Sequence, residues 1–213
     1  MTSKVIQTYH CPNGCCPVKI KSYNPKPRYF NRNYRKAGVF IYDPKEDKVL
    51  LVQSRGHLWG PAKGSLNIGE QPIDCAVREV KEETGLEIFS KDFTKSVKIR
   101  NRAVYYYLEM DTCEVDIQDN IEDNDANGIT WIKMTCLEDA IATGNIVLNH
   151  YARIVFYRLM KKRFPKPNWI KVERKRRPNK QNLINLLPKI NGNKISDTRL
   201  YFDSPKKYRR HII

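Results

Sequence analysis

At 213 residues and 25.0 kDa, with 40% hydrophobic residues, the chain is long enough to bury a core, which excludes a wholly disordered polymer. No run approaches the roughly 18–20 apolar residues of a membrane span, and the opening MTSKVIQTYHCPNG lacks the continuous apolar stretch of a secretory signal. An intracellular, cytoplasmic chain is therefore expected, with its six cysteines as reduced thiols rather than a disulfide framework.

The net charge of +16 is unevenly placed. Residues 1–36 carry eight Lys/Arg and no acid, and residues 161–213 carry 17 Lys/Arg against three acids. Residues 37–160 hold 14 Lys/Arg against 20 acids, so an acidic body lies between two basic arms. Blocks of like charge stay open unless a polyanion neutralises them. Nucleic acid is the leading partner, and solvated arms that keep the chain soluble are the bland alternative.

In chain order, residues 1–36 are rich in Pro, Asn and Tyr, lack clear periodicity and read as an irregular basic arm. AGVFIY and KVLLVQS, separated by DPKED, give a hairpin signal. WGPAKGSLNIGEQ reads as a Gly/Pro-punctuated loop with a short strand. PIDCAVREVKEETG spaces Ile73, Ala76, Val77 and Val80 by three and four, which predicts an amphipathic helix with Pro72 near its start and Gly85 just past its end. DFTKSVKIR, RAVYYYLEMD and ITWIKM read as strands, with an acidic loop before the last. CLEDAIATG predicts a short helix and 149–163 a second, basic at its end. The domains expected are a basic arm (1–36), a compact α+β unit (37–164) and a basic extension (165–213).

One constellation dominates. Gly64 is followed after five residues by Glu70, and after seven more by Arg78-Glu79-Val80-Lys81-Glu82-Glu83-Thr84-Gly85-Leu86. Glu79, Glu82 and Glu83 lie at i, i+3 and i+4, so one helix face carries three carboxylates that would repel one another when bare. Hard oxygen ligands at this density suit Mg²⁺ or Mn²⁺. Gly64 lets the loop backbone approach closely, and Arg78 can grip a glutamate with two parallel hydrogen bonds.

This pattern matches the Nudix box, G-x5-E-x7-R-E-U-x-E-E-x-G-U, at every defined position. The chain is accordingly identified as resembling the Nudix hydrolases. The resemblance implies their α+β fold, a mixed β-sheet sandwiched between helices, here with basic N- and C-terminal extensions. It also implies hydrolysis of an X-linked diphosphate. By the same resemblance, Glu79, Glu82, Glu83 and the Gly64 carbonyl are the metal ligands, with two or more ions expected. Arg78 is the orienting residue, and a further carboxylate comes from the loop holding Glu122, Asp123 and Asp125.

Three features bear on the diphosphate. Trp59-Gly60-Pro61-Ala62-Lys63-Gly64 is similar to the W-G-F-P-K-G run of mRNA-decapping enzymes and of some diphosphoinositol and dinucleoside polyphosphate hydrolases, departing at Pro61-Ala62. It marks Trp59 and Lys63 as substrate-binding candidates. The basic C-terminal residues, among them Lys161, Lys162, Arg163, Arg174, Lys175, Arg176 and Arg177, suggest a long anion such as RNA. Tyr23, Tyr29, Phe30, Tyr34 and Trp169 lie among basic residues, where they can stack on bases or pack on the core. The leading expectation is a compact enzyme of the kind large DNA viruses encode. It would hydrolyse the 5′ cap of mRNA to (methyl)guanosine diphosphate and 5′-monophosphate RNA. Hydrolysis of diphosphoinositol or dinucleoside polyphosphates is the alternative, and a non-catalytic RNA-binding module the second.

Two weaker signals remain. His10, Cys11, Cys15 and Cys16 offer half of a zinc site without the usual second pair, so packed reduced thiols are the favoured state there. Cys75 and Cys136 read as core. KVERKRRPNK resembles a nuclear address and equally an RNA-binding tail.

Overall fold

The computed structural model describes residues 6–22, 35–118, 126–161 and 163–164. Within them the elements run β1 (Ile6–His10), β2 (Pro17–Lys21), β3 (Lys36–Asp43), β4 (Lys48–Ser54), β5 (Leu58–Gly60), β6 (Ala62–Ser65) and α1 (Pro72–Thr84). A 3₁₀ turn (Ser90–Asp92) follows, then β7 (Lys95–Ile99), β8 (Ala103–Glu109), β9 (Ala126–Lys133), α2 (Met134–Ala142), β10 (Val147–Leu148) and α3 (His150–Leu159).

The sheet is mixed, in the order β1-β2-β9-β4-β3-β8-β7. β3 and β8 run parallel, and the other neighbours along that path are antiparallel. β6 pairs with β3, and β5 pairs with β4 and β10.

The central strands are apolar on both faces because both faces are covered. Along β3, Val39 and Ile41 join one core cluster while Phe40 joins the other, and along β4 Leu50 and Val52 alternate with Val49 and Leu51. The first face takes Cys75, Ala76 and Val80 of α1, and the second takes Met134 and Leu137 of α2 with Ala152, Val155 and Phe156 of α3. Successive strand side chains point to opposite faces, so a near-continuous apolar run marks a strand buried on both. This is the α+β sandwich expected from the sequence.

The β3–β4 turn is built around a buried acid. Asp43 Oδ1 accepts from the Lys45 and Glu46 amides at 2.9 and 3.1 Å, and Oδ2 accepts from the Thr112 amide and hydroxyl at 2.7 and 2.6 Å. Burial opposes ionisation of Asp43, yet these donors outweigh it and bring its pKa down to about 2.

One expectation is corrected. Residues 6–22 are not irregular: they form a hairpin whose β2 pairs with β9 through Val18–Thr130, Lys19–Ile129 and Ile20–Gly128. The Thr130 hydroxyl adds a hydrogen bond to the Pro17 carbonyl at 2.8 Å. Pro and Cys punctuation hides the period-2 pattern of PVKIK.

Candidate active site

The α1 helix forms where expected. Pro72 opens it at a position where a missing N–H is harmless, and Gly85 closes it in the left-handed region (φ 77°), donating to the Lys81 carbonyl at 2.9 Å. Its inward face carries Cys75, Ala76 and Val80, and also Glu79, Glu83 and Thr84. Two carboxylates on the buried side of a helix need partners; Arg78 of the helix itself serves Glu79, and the backbone of β6 serves Glu83.

Arg78 is the hub. Its Nε donates to Glu70 Oε1 at 2.8 Å and its Nη2 to Glu70 Oε2 at 3.0 Å, the two-pronged grip anticipated from the sequence. Nη2 also donates to the Ser65 carbonyl at 3.1 Å, tying the helix to the end of β6. Nη1 reaches further than anticipated, to Glu79 Oε1 at 2.9 Å and Glu82 Oε2 at 2.8 Å, so one guanidinium gathers three glutamates. Hydrogen bonding to Arg78 holds the Glu70 carboxyl down at about 2. Burial pushes the Glu79 carboxyl above the usual carboxylate range, with Arg78 only partly offsetting it.

Glu83 is held from the other side, its Oε2 accepting from the Lys63 amide at 2.9 Å. Gly64 lies between Lys63 and Ser65, and a Cβ there would overlap the Glu79 carboxylate. The glycine is thus required by the close approach of an acid to the loop backbone. Glu79 and Glu82 meet at Arg78 beside the Gly64 cradle, while Glu83 is held by the Lys63 amide; carboxylates and a loop carbonyl are hard oxygen donors of the kind that suits Mg²⁺ or Mn²⁺.

Other candidates fall elsewhere. Trp59 is a correction: it is 3% exposed in the core cluster on the α3 face, where it packs and offers no open face for stacking. Lys63 is next to the cradle, its charge acting on Glu79. Lys161 and Arg163 are exposed after α3, and Arg163 is engaged by Asp47 at 2.7 Å. Glu122, Asp123, Asp125, Lys162, Arg174, Lys175, Arg176 and Arg177, and the aromatics at 23, 29, 30, 34 and 169, lie outside the described residues.

The cysteine group is also corrected. His10 does not belong to it; the sulfurs that meet are those of Cys11, Cys15, Cys16 and Cys136. Sequence reasoning also passed over Tyr105, fully buried on β8, whose hydroxyl has no hydrogen-bond partner among the described residues. Its inward place in the alternating RAVYYYLEMD was the available signal.

A fold of this order, with a carboxylate helix against a glycine loop, defines a class, and the comparisons agree. The NUDIX domain family matches residues 32–150, and the chain belongs to that family. Its members and relatives make it a Nudix hydrolase. The chain is 36% identical over 143 residues to the 111R protein of Invertebrate iridescent virus 3, covering 64% of this chain and 83% of that one. It is 47% identical over 53 residues to the m7GpppN-mRNA hydrolase dcap-2 of Caenorhabditis elegans, covering 24% of this chain and 7% of that one. It is also 31% identical over 103 residues to the bis(5′-nucleosyl)-tetraphosphatase of Rattus norvegicus, covering 39% of this chain and 70% of that one.

Proposed function

We propose that this Nudix hydrolase cleaves the triphosphate bridge of capped RNA, releasing (methyl)guanosine diphosphate and RNA with a 5′-monophosphate. The observation that carries the choice of RNA is charge: 17 Lys/Arg against three acids in residues 161–213 is far more than a nucleotide-sized anion requires. The similarity of a 53-residue stretch to an mRNA hydrolase supports it.

Glu79, Glu82 and Glu83, with the Gly64 carbonyl, would hold one or more Mg²⁺ or Mn²⁺ ions. When bound, such ions lower the pKa of an attacking water and offset charge on the leaving phosphate. Arg78 fixes the carboxylates through Glu70 and Ser65, and Lys63 presents a cation to the bridging phosphates. Water adds to a bridging phosphorus, the P–O bond opposite breaks, and the released proton passes to a carboxylate of the acidic stretch before β9, Glu122, Asp123 or Asp125. The basic residues of 161–213 would act on the RNA chain beyond the cap.

Glu82→Gln and Glu83→Gln should each lower kcat at least ~100-fold while leaving the fold intact. Unchanged product release in both variants would remove metal catalysis at the box. Capped RNA should be turned over with a lower KM than free cap analogue, and equal kinetics for the two would remove the RNA body from the reading. The tetraphosphatase relative, matched over 70% of its length, favours a second reading, hydrolysis of dinucleoside polyphosphates. In that case the dinucleotide outcompetes capped RNA in a mixed assay.

A further inference from the structure

The thiols of Cys11, Cys15, Cys16 and Cys136 converge although Cys15 and Cys136 are 121 positions apart in the chain. Three come from the tip of the β1–β2 hairpin, and the fourth from the first turn of α2. Sγ–Sγ distances are 3.6 Å for Cys11–Cys15, 3.6 Å for Cys15–Cys16 and 3.4 Å for Cys15–Cys136, and all four sulfurs lie within 4.8 Å of one another. A tetrahedral zinc with Zn–S bonds of about 2.3 Å sets its sulfurs roughly 3.8 Å apart. The observed spacing is close to that edge and far longer than a disulfide, and all four cysteines are free.

The surroundings are those of a built site. Cys11-Pro12-Asn13-Gly14-Cys15-Cys16 folds into a tight turn, with the Gly14 amide donating to the Cys11 carbonyl at 2.8 Å and Gly14 at φ 70°. The hairpin closes through the Cys11 amide and the Cys16 carbonyl at 2.9 Å. Around the sulfurs, the Lys133 amide donates to Cys16 Sγ at 3.3 Å and Asn13 Nδ2 to Cys136 Sγ at 3.5 Å, the kind of N–H donor that orients thiolate ligands. Cys11, Cys16 and Cys136 are buried while Cys15 is exposed, which leaves an entry path for an ion.

Energetics point the same way. β1 is exposed at four of its five residues and β2 contributes only partly buried Val18 and Ile20 to the core, so the hairpin docks with little apolar area. The hairpin joins the sheet through only three residue pairs at β9, so a further clamp at its tip adds stability, and packing four thiols together gains less than a metal would.

We propose that Cys11, Cys15, Cys16 and Cys136 bind a structural zinc ion that clamps the β1–β2 hairpin to the β9–α2 corner. The site is closed by four protein ligands, so its role is structural rather than hydrolytic. Cys11, Cys16 and Cys136 belong to the core cluster on the α2–α3 face, whereas α1 with its carboxylates packs on the other.

The test is elemental analysis of the full chain purified without chelators, together with cobalt substitution. About one zinc per chain is expected, along with intense thiolate-to-cobalt charge-transfer absorption when Co²⁺ replaces it. Cys15→Ser changes an exposed sulfur and should fold; it should lose its zinc on dialysis against a weak chelator that leaves the parent loaded. Cys113→Ser, which alters a cysteine outside the group, should keep a full equivalent. Zinc below a tenth of an equivalent with no cobalt–thiolate absorption, iron in place of zinc, a Cys15–Cys136 disulfide in mass spectra, or full retention by Cys15→Ser would each overturn the assignment.

Discussion

Gly64 shows how a single atom can decide a site. From the sequence, a glycine here permits close backbone approach; the structure identifies what approaches, the carboxylate of Glu79. Gly64→Ala places a methyl group where that carboxylate sits, and displacing it by about 1 Å should lower kcat ~100-fold with little change in thermal stability. Steady-state kinetics beside a melting curve checks both halves. Glu70 acts at the same scale by a different route. Its carboxyl is held at about 2 by Arg78, below the ordinary carboxylate value. A lowered folded-state pKa stabilises the fold above the ordinary value of about 4.3, and that contribution fades as pH falls toward 2. Glu70→Gln should therefore cost about 1–3 kcal/mol in urea unfolding at pH 7, and the gap to the parent should narrow as pH drops from 5 to 2. A gap independent of pH in that window would show that the ion pair is not its source.

Among elements, legibility followed how much of the pattern was local. The α1 boundaries were readable because Pro72, the three-and-four apolar spacing and Gly85 are local signals with local causes, and the box residues rode on that helix in register. β3 and β4 were readable as apolar runs around a turn cluster. The β1–β2 hairpin was not, since its second strand finds its partner, β9, more than a hundred residues away. Nor could sequence show that Trp59 faces inward or that Cys136 meets the hairpin thiols, because both follow from packing across the sheet. The β3–β4 turn carries a prediction of its own. DPKED announces a turn, but only the structure shows that Asp43 serves donors from both this turn and Thr112. Asp43→Ala strands those buried donors and should destabilise the chain by about 2–3 kcal/mol, read as a lower urea midpoint, while kcat at a temperature where the variant is folded stays near that of the parent.

For the molecule as a whole, charge is a separate layer of information from fold. The catalytic body is acidic, and its carboxylate cluster repels the very anions it would act on unless metal and basic residues offset it. Under the proposed function, the 17 Lys/Arg of residues 161–213 would supply that offset over a length no mononucleotide can use. Two consequences can be separated by salt. Contacts to a phosphate chain release counterions, so affinity falls with salt by about 0.7 logarithmic units per tenfold salt for each phosphate bound on a single strand; contacts confined to the cap do not multiply in this way. Replacing Arg174, Lys175, Arg176 and Arg177 together by Gln in the full chain should raise KM for capped RNA, leave KM for free cap analogue nearly unchanged, and flatten the salt slope by up to about 2.8. If KM for both substrates rises in parallel and the slope is unaltered, the tail serves the cap site or the fold, and capped RNA loses its advantage over smaller polyphosphates as the substrate.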